Sequence, residues 1–244
     1  MLQLPDIIAH RGESAKAPEN TIAACQLAID NGANWLEVDV NVSSDGELFL
    51  HHDDSLQRCT DGTGYLVSKT KSELRSLDAG SWFSKDFAGE KLATLDELIE
   101  LLGQLPESRN AGLNLEVKPT PGWEYPLVNA VSKRIQAGWP ENVALLISSF
   151  SPLALEALRE QLPNAQLGLL VSAIPENWQS WMQRFDCNTF HCAADFVTDE
   201  FCREASKAGI QVLCYTVNDK NRAEQLLAMG VSSVFSDNPS ILIP

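Results

Sequence analysis

Short apolar or alternating runs, each of strand length, recur along this chain with helical stretches between most of them. Nine such runs begin near Asp6, Trp35, Glu47, Gly112, Val143, Gln166, Cys187, Gln211 and Ser232. Four intervening segments carry clear helix signals. Residues 21–31 place Ile22, Cys25 and Ile29 on one face, with Gly32 available to close the end. Residues 94–102 begin with Thr94 and Glu97, the spacing of a capping box. Residues 152–160 and 219–229 are similar, the latter ended by Gly230. Repeated strand–helix alternation predicts a parallel sheet linked by helices and closed on itself, a TIM-type (β/α)8 barrel. A length of 244 residues suits one such domain over 1–244.

Nine runs are one too many for eight strands. The excess falls between 35–42 and 47–52, where only Ser43-Ser44-Asp45-Gly46 intervene. Such a link turns a hairpin and is too short for a parallel crossover. The barrel is therefore expected to be irregular near its second strand. Residues 53–93 lack strong periodicity and read as a small, loop-rich insertion after the third strand, hanging over one barrel end. No internal repeat or low-complexity tract is visible.

The formal net charge of -15 argues against nucleic acid and against stable association with anionic membranes. An anionic substrate would need a bound cation or a few placed basic side chains. Six cysteines at irregular spacing, with no CxxC pair, read as reduced and structural, as in a cytoplasm. Cys187, His191 and Cys192 raise the alternative of zinc, but the second ligand pair is missing and packing is the better account. The start, Met1 to Pro5, has neither a basic region nor an apolar core, so a cytoplasmic location is expected. No apolar run approaches the roughly 18 residues of a membrane span.

Barrel enzymes place chemistry where strands end, and the reactive side chains here fall at such points. The first run ends in His10-Arg11-Gly12. His can move a proton near neutral pH, and Arg can fork onto phosphate oxygens. In the second run Leu36, Val38, Val40 and Val42 share one face, and Trp35, Glu37, Asp39 and Asn41 the other. The acidic face is either wet or turned into the barrel. Inward carboxylates would need compensation, most simply a divalent cation. The third run ends in His51-His52-Asp53, and a hairpin would bring His52 roughly opposite Asp39; His51 reads as structural. The fourth ends in Glu116-Val117-Lys118, with Glu116 and Lys118 on one face. That pair is either a strand-edge ion pair or a third metal ligand beside a phosphate-facing cation. Ser148-Ser149-Phe150, Tyr215-Thr216-Val217-Asn218 and Ser236-Asp237-Asn238-Pro239 are polar strand ends too, and read equally well as turn chemistry. Two histidines, an arginine, a lysine and three carboxylates supply what phosphodiester cleavage requires: an acid, a base and positive charge.

In their order, these motifs resemble the glycerophosphodiester phosphodiesterase family. The likeness rests on Ala9-His10-Arg11-Gly12, Ala17-Pro18-Glu19-Asn20-Thr21, Leu36-Glu37-Val38-Asp39-Val40, Asp45-Gly46, His52-Asp53 with Leu56, Arg58, Thr60 and Gly62, and Leu115-Glu116-Val117-Lys118. Ser149-Phe150, Thr216-Val217-Asn218 and Asp237-Asn238-Pro239 also fit, so it spans about residues 7–239. Length and the absence of a leader are most like the cytoplasmic bacterial enzymes. The resemblance implies metal-dependent hydrolysis of small-molecule glycerophosphodiesters, such as glycerophosphocholine or glycerophosphoethanolamine, to sn-glycerol 3-phosphate and an alcohol. It implies Glu37, Asp39 and Glu116 as metal ligands, His10 and His52 as the acid–base pair, and Arg11 and Lys118 on the phosphate. Magnesium is the expected ion on availability in a cytoplasm, although oxygen ligands also serve calcium. Glu19 would lie in the metal or substrate shell, and Phe150 and Tyr215 would face substrate. Tyr215 is a departure, since the family often has Trp before Thr-Val-Asn. Two rivals stand beside this reading: a phospholipase docking through Trp82, Phe83 and Phe87, and a non-catalytic binder of phosphorylated polyols.

Overall fold

The computed structural model describes residues 2–242; Met1, Ile243 and Pro244 lie outside the described residues. All nine sequence runs form strands: β1 (Ile7–His10), β2 (Trp35–Val42), β3 (Leu48–Leu50), β4 (Ala111–Val117), β5 (Val143–Ser149), β6 (Gln166–Val171), β7 (Thr189–Ala193), β8 (Gln211–Tyr215) and β9 (Ser233–Ser236). Eight of them pair in parallel in the order β1-β9-β8-β7-β6-β5-β4-β2, and β1 pairs with β2 to close the barrel. The ninth, β3, is the supernumerary run. It pairs antiparallel with β2, Val40 facing Leu50 and Val42 facing Leu48, so the four-residue link is a hairpin. This ladder sets Asp39 opposite His51, whose N–H donates to the Asp39 carbonyl at 3.0 Å, and His52 comes one residue later. The expected facing of Asp39 and His52 is thus off by one, because the closing pairs count back from the turn at Asp45-Gly46.

Helices α1 (Ile22–Asp30), α2 (Lys71–Ser76), α3 (Leu95–Gly103), α4 (Glu124–Gln136), α5 (Pro152–Gln161), α6 (Trp178–Phe185), α7 (Asp199–Lys207), α8 (Lys220–Ala228) and α9 (Pro239–Leu242) follow in chain order. Local chemistry accounts for their ends. Thr21, Thr94, Ser151 and Asp219 each accept an N–H from the first turn of the helix they open. Thr94 and Glu97 form the expected reciprocal box. Segment 53–93 holds a second such box, Thr70 with Glu73, at the head of α2.

Strand alternation divides the apolar residues. Leu36, Val38, Val40 and Val42 face outward into the layer between sheet and helices. Trp35 joins Ile8, Leu146, Leu213 and Phe235 inside the barrel. Gly112 on the neighbouring strand makes room, since a Cβ there would meet the Trp35 ring at 2.1 Å. A separate small core of Phe49, Leu56, Leu66, Leu74, Ala79 and Leu92 sits under segment 53–93. Trp82, Phe83 and Phe87 stack edge to face on that segment, and Trp82 donates its ring N–H to the Ala79 carbonyl. All six cysteines are free and buried. Burial pushes the Cys25 and Cys187 thiols up to about 12, as expected of packing residues. No helix among the described residues is long and apolar enough to cross a membrane.

Candidate active site

The C-terminal ends of β1, β2, β4, β5 and β8 and the segment after β3 surround one cavity of about 320 Å³. His10, Arg11, Glu37, His52, Glu116, Lys118, Phe150 and Tyr215 line it, with Asp39 buried at the side.

Alternation along β2 and parallel register with β4 create its acidic centre. Glu37 pairs with Asn114 and Asp39 with Glu116, so Asp39 and Glu116 stand at one level and Glu37 one inward position below them on the same face. One oxygen from each of Glu37, Asp39 and Glu116 lies within 4.8 Å of the other two. Burial, then Asp39 and Glu116, pushes the Glu37 carboxyl well above its ordinary range. Burial and Asp39 likewise raise Glu116 to about 7. Asp39 is equally buried, but Arg11 and Lys118 outweigh that cost and hold it below the usual range. Two oxygens, Glu37 Oε1 and Asp39 Oδ1, are buried with no hydrogen-bond partner. Unpaired buried carboxylate oxygens at the centre of an all-oxygen donor set fit a hard divalent cation. Among the described residues this is the only such group. Cys187, His191 and Cys192 do not gather, because alternation turns His191 into the barrel and Cys192 out toward the helices.

The turn after β1 is backbone-strained. Arg11 adopts φ +56° and Gly12 φ +80°. A Cβ on Gly12 would meet the Ala24 backbone at 2.5 Å, so α1 packs directly on this turn. The Arg11 N–H donates to the Glu37 carbonyl at 2.8 Å and lies 3.0 Å from Glu37 Oε2. Asn20 is also left-handed at φ +57°. Its N–H donates to the Arg11 carbonyl, its side-chain N–H to Asp39 Oδ2 at 2.8 Å, and its side-chain oxygen accepts the Asp39 N–H. Strained non-glycine residues persist where the surroundings over-determine them, and here they aim Arg11 and lock Asp39.

The two histidines are oriented alike. His10 Nδ1 donates to Asp237 Oδ1 at 2.6 Å, and its Nε2 lies 3.9 Å from Glu37 Oε2. His52 Nδ1 donates to Asp53 Oδ1 at 2.6 Å. Each ring therefore spends Nδ1 on a carboxylate and leaves Nε2 toward the cavity. Burial pulls the His52 pKa down, against the opposing pull of Asp39. His51 is buried and donates from Nε2 to the Ser55 carbonyl at 2.9 Å, the structural role expected for it.

Arg11 Nε lies 3.1 Å from Asp39 Oδ2 and its Nη1 donates to Glu19 at 2.8 Å. Lys118 Nζ is 3.2 Å from Glu116 and 3.8 Å from Asp39, and stands 5.7 Å over the Phe150 ring. Phe150 and Tyr215 meet edge to face at 6.0 Å, with the Tyr215 hydroxyl tied to the Val171 carbonyl. Glu19 is set apart from the expected residues. Both its oxygens bind guanidinium groups of Arg11 and Arg58, and it is not among the residues lining the cavity.

Reasoning from residues passed over Asn20, Asp53 and Asp237 as individual actors. Asn20 and Asp53 carried a faint signal: a lone Asn before a helix cap, and an Asp directly following a histidine. Asp237 was legible as a polar strand end and a motif residue, but its partner was not, since His10 is 227 residues away.

Comparison with known proteins agrees along the whole chain. The profile of the glycerophosphoryl diester phosphodiesterase family matches residues 10–241. A glycerophosphodiester phosphodiesterase from Caldanaerobacter subterraneus subsp. tengcongensis is 34% identical over 242 residues, covering 97% of this chain and 96% of that protein. A phosphodiesterase from Oleispira antarctica, solved in complex with the product sn-glycerol-3-phosphate, superposes with a TM-score of 0.94 at 40% identity, covering 98% and 95% of the two chains. A glycerophosphodiester phosphodiesterase from Agrobacterium tumefaciens gives 0.80 at 26%, covering 98% and 99%. This chain belongs to the glycerophosphoryl diester phosphodiesterase family and is an enzyme of that class.

Proposed function

We propose that this enzyme hydrolyses small glycerophosphodiesters, such as glycerophosphocholine and glycerophosphoethanolamine, to sn-glycerol 3-phosphate and an alcohol. Glu37, Asp39 and Glu116 hold one magnesium ion in this reading, and His10 and His52 move the protons. One observation carries it. Two buried carboxylate oxygens without partners stand beside two imidazoles whose Nε2 atoms open on the same cavity. A binder of phosphorylated polyols has no use for that pairing.

When bound, the cation supplies positive charge against the non-bridging phosphate oxygens. Arg11 and Lys118 add charge from either side and balance the carboxylates. One Nε2 accepts the proton of the attacking hydroxyl while the other delivers a proton to the leaving alcohol oxygen. Asp53 and Asp237 keep each ring in the tautomer that leaves Nε2 free to act. The Phe150–Tyr215 corner offers an apolar wall to the carbon skeleton of the substrate. The free, buried cysteines suit the reducing conditions of a cytoplasm.

The test is release of sn-glycerol 3-phosphate from glycerophosphocholine by metal-stripped protein, with and without magnesium, beside His52→Ala. Release that needs both magnesium and His52 is expected. Release without metal, or undiminished in the variant, sinks the mechanism. Better activation by calcium than by magnesium overturns the choice of ion.

A further inference from the structure

Two polar side chains line the cavity inside the barrel, the first level with Glu37 and one inward position below Glu116. Asn114 lies on β4, two residues before Glu116 on the same inward face, and His191 lies on β7; both line the cavity. They are 1% and 0% exposed. Each leaves one polar atom without a partner. Asn114 Nδ2 donates to Ser148 Oγ at 3.0 Å, while Oδ1 has no partner. His191 Nε2 lies 2.8 Å from Thr189 Oγ1, while Nδ1 has no partner. Buried polar atoms are seldom left unpaired, and the fold makes room for this pair. A Cβ on Gly168 would come within 2.7 Å of His191 Nε2, so β6 presents no side chain where the imidazole stands.

The chemistry of this pair restricts what it can receive. Burial pushes His191 down to about 3, so the ring is neutral and offers no cationic grip on a phosphate. Asn114 Oδ1 can only accept, and would repel a phosphate oxygen. A bare carbon chain would leave both atoms unpaired. A hydroxyl donates to Oδ1, and its oxygen accepts from Nδ1–H in the tautomer whose Nε2 accepts the Thr189 hydroxyl proton.

We propose that Asn114 and His191 form a hydroxyl-recognition subsite, seating a free hydroxyl of the polyol portion of the substrate beneath the phosphate position. The subsite deepens the glycerophosphodiester reading and rests on it. A site built to bond a substrate hydroxyl rejects the analogue lacking it, because its own buried groups are then stranded.

The experiment is calorimetric binding in magnesium of sn-glycerol 3-phosphate, n-propyl phosphate and inorganic phosphate to the wild type, Asn114→Leu and His191→Phe. Turnover of glycerophosphocholine by the wild type is measured alongside. The wild type should prefer glycerol 3-phosphate over propyl phosphate by roughly 10-fold or more. In each variant the preference should collapse, with inorganic phosphate bound as before. Equal wild-type affinity for the two esters, as when the pair holds only a water, overturns the subsite, and this arm stands even if a variant does not fold. A preference that survives in both variants also overturns it. Intact preference without turnover sinks the reaction and keeps the subsite; turnover without preference sinks the subsite alone.

Discussion

His10 and His52 face one cavity from two regions of different construction. His10 ends β1, and Asp237, which holds it, follows β9, the strand paired with β1 on its other side. Two adjacent rungs of a closed barrel thus fix that imidazole. His52 lies beyond β3, outside the barrel, and is held by its neighbour Asp53. Asp53 is held in turn by Arg58, and Arg58 by Glu19. The His10 side chain is 15% exposed, His52 29% and Arg58 43%. The barrel side owes its geometry to backbone ladders, and the loop side to a chain of ion pairs near water. The same imidazole–carboxylate unit has been built twice, once by topology and once by local sequence.

If the two units share the proton work, removing either imidazole should cost about the same. His10→Ala and His52→Ala are each expected to lower kcat by roughly 10²–10⁴-fold with little change in KM, read from steady-state kinetics. A variant near wild-type rate would remove that histidine from the mechanism and end the symmetry.

The supporting carboxylates should separate the regions. Asp237→Asn leaves the barrel geometry in place but offers the wrong partner to His10 Nδ1. Asp53→Asn does the same to His52 and also frees Arg58, which keeps Glu19. Losses in kcat of roughly 10–100-fold are expected for Asp237→Asn, the typical cost of losing the group that orients an essential imidazole, with a smaller loss for Asp53→Asn. The reverse order would mean that the exposed unit is the stricter one.

Between the two regions lies the acidic centre, where raised pKa values have a measurable consequence. In the metal-free protein Glu116 is raised to about 7 and Glu37 lies well above its ordinary range. Both would have to be ionised to hold the proposed cation, so protons should compete with magnesium. Affinity should climb as pH rises toward and through 7, by up to about tenfold per pH unit for each proton displaced. Above Glu116's pKa its share of the slope disappears. Calorimetry in buffers of different ionisation enthalpy would read the protons released; none at pH 6.5 would place the metal elsewhere.

The contrast between ladder-built and locally built regions also explains what could be read from residues. Alternation in β2 set Glu37 and Asp39 on one face and left it either wet or inward; the closed barrel buries that face. The four residues between β2 and β3 marked a hairpin and an irregular barrel there; the pairing shows that β3 is the strand outside. Pairing partners were harder. Register moved Asp39 opposite His51, one position from expectation, and nothing near His10 announces Asp237. Glu19 was legible as a site neighbour but not as the link between two arginines, since Arg58 lies 39 residues on. In segment 53–93 the Thr70–Glu73 box was available to be read, but α2 is only six residues long and leaves little periodicity around it.

The smallest effect falls at the far end of the loop-side chain. Arg58 forks onto Asp53 with Nε at 2.7 Å and Nη2 at 3.0 Å, and onto Glu19 with Nη1 at 2.7 Å and Nη2 at 2.8 Å. Bidentate geometry favours both contacts, but Arg58 is more than a third exposed, so water and salt screen them. Arg58→Met keeps the aliphatic stem and removes the fork. His52 would retain Asp53, and Glu19 would retain Arg11, so the site should loosen rather than come apart. A fall in kcat of a few-fold is expected. Wild-type activity should drift toward the variant's as salt rises toward about 1 M, where the screening length shrinks to roughly 3 Å. His10→Ala should show no such convergence, because its supporting geometry comes from paired strands. A salt response shared by both regions would erase the distinction between them.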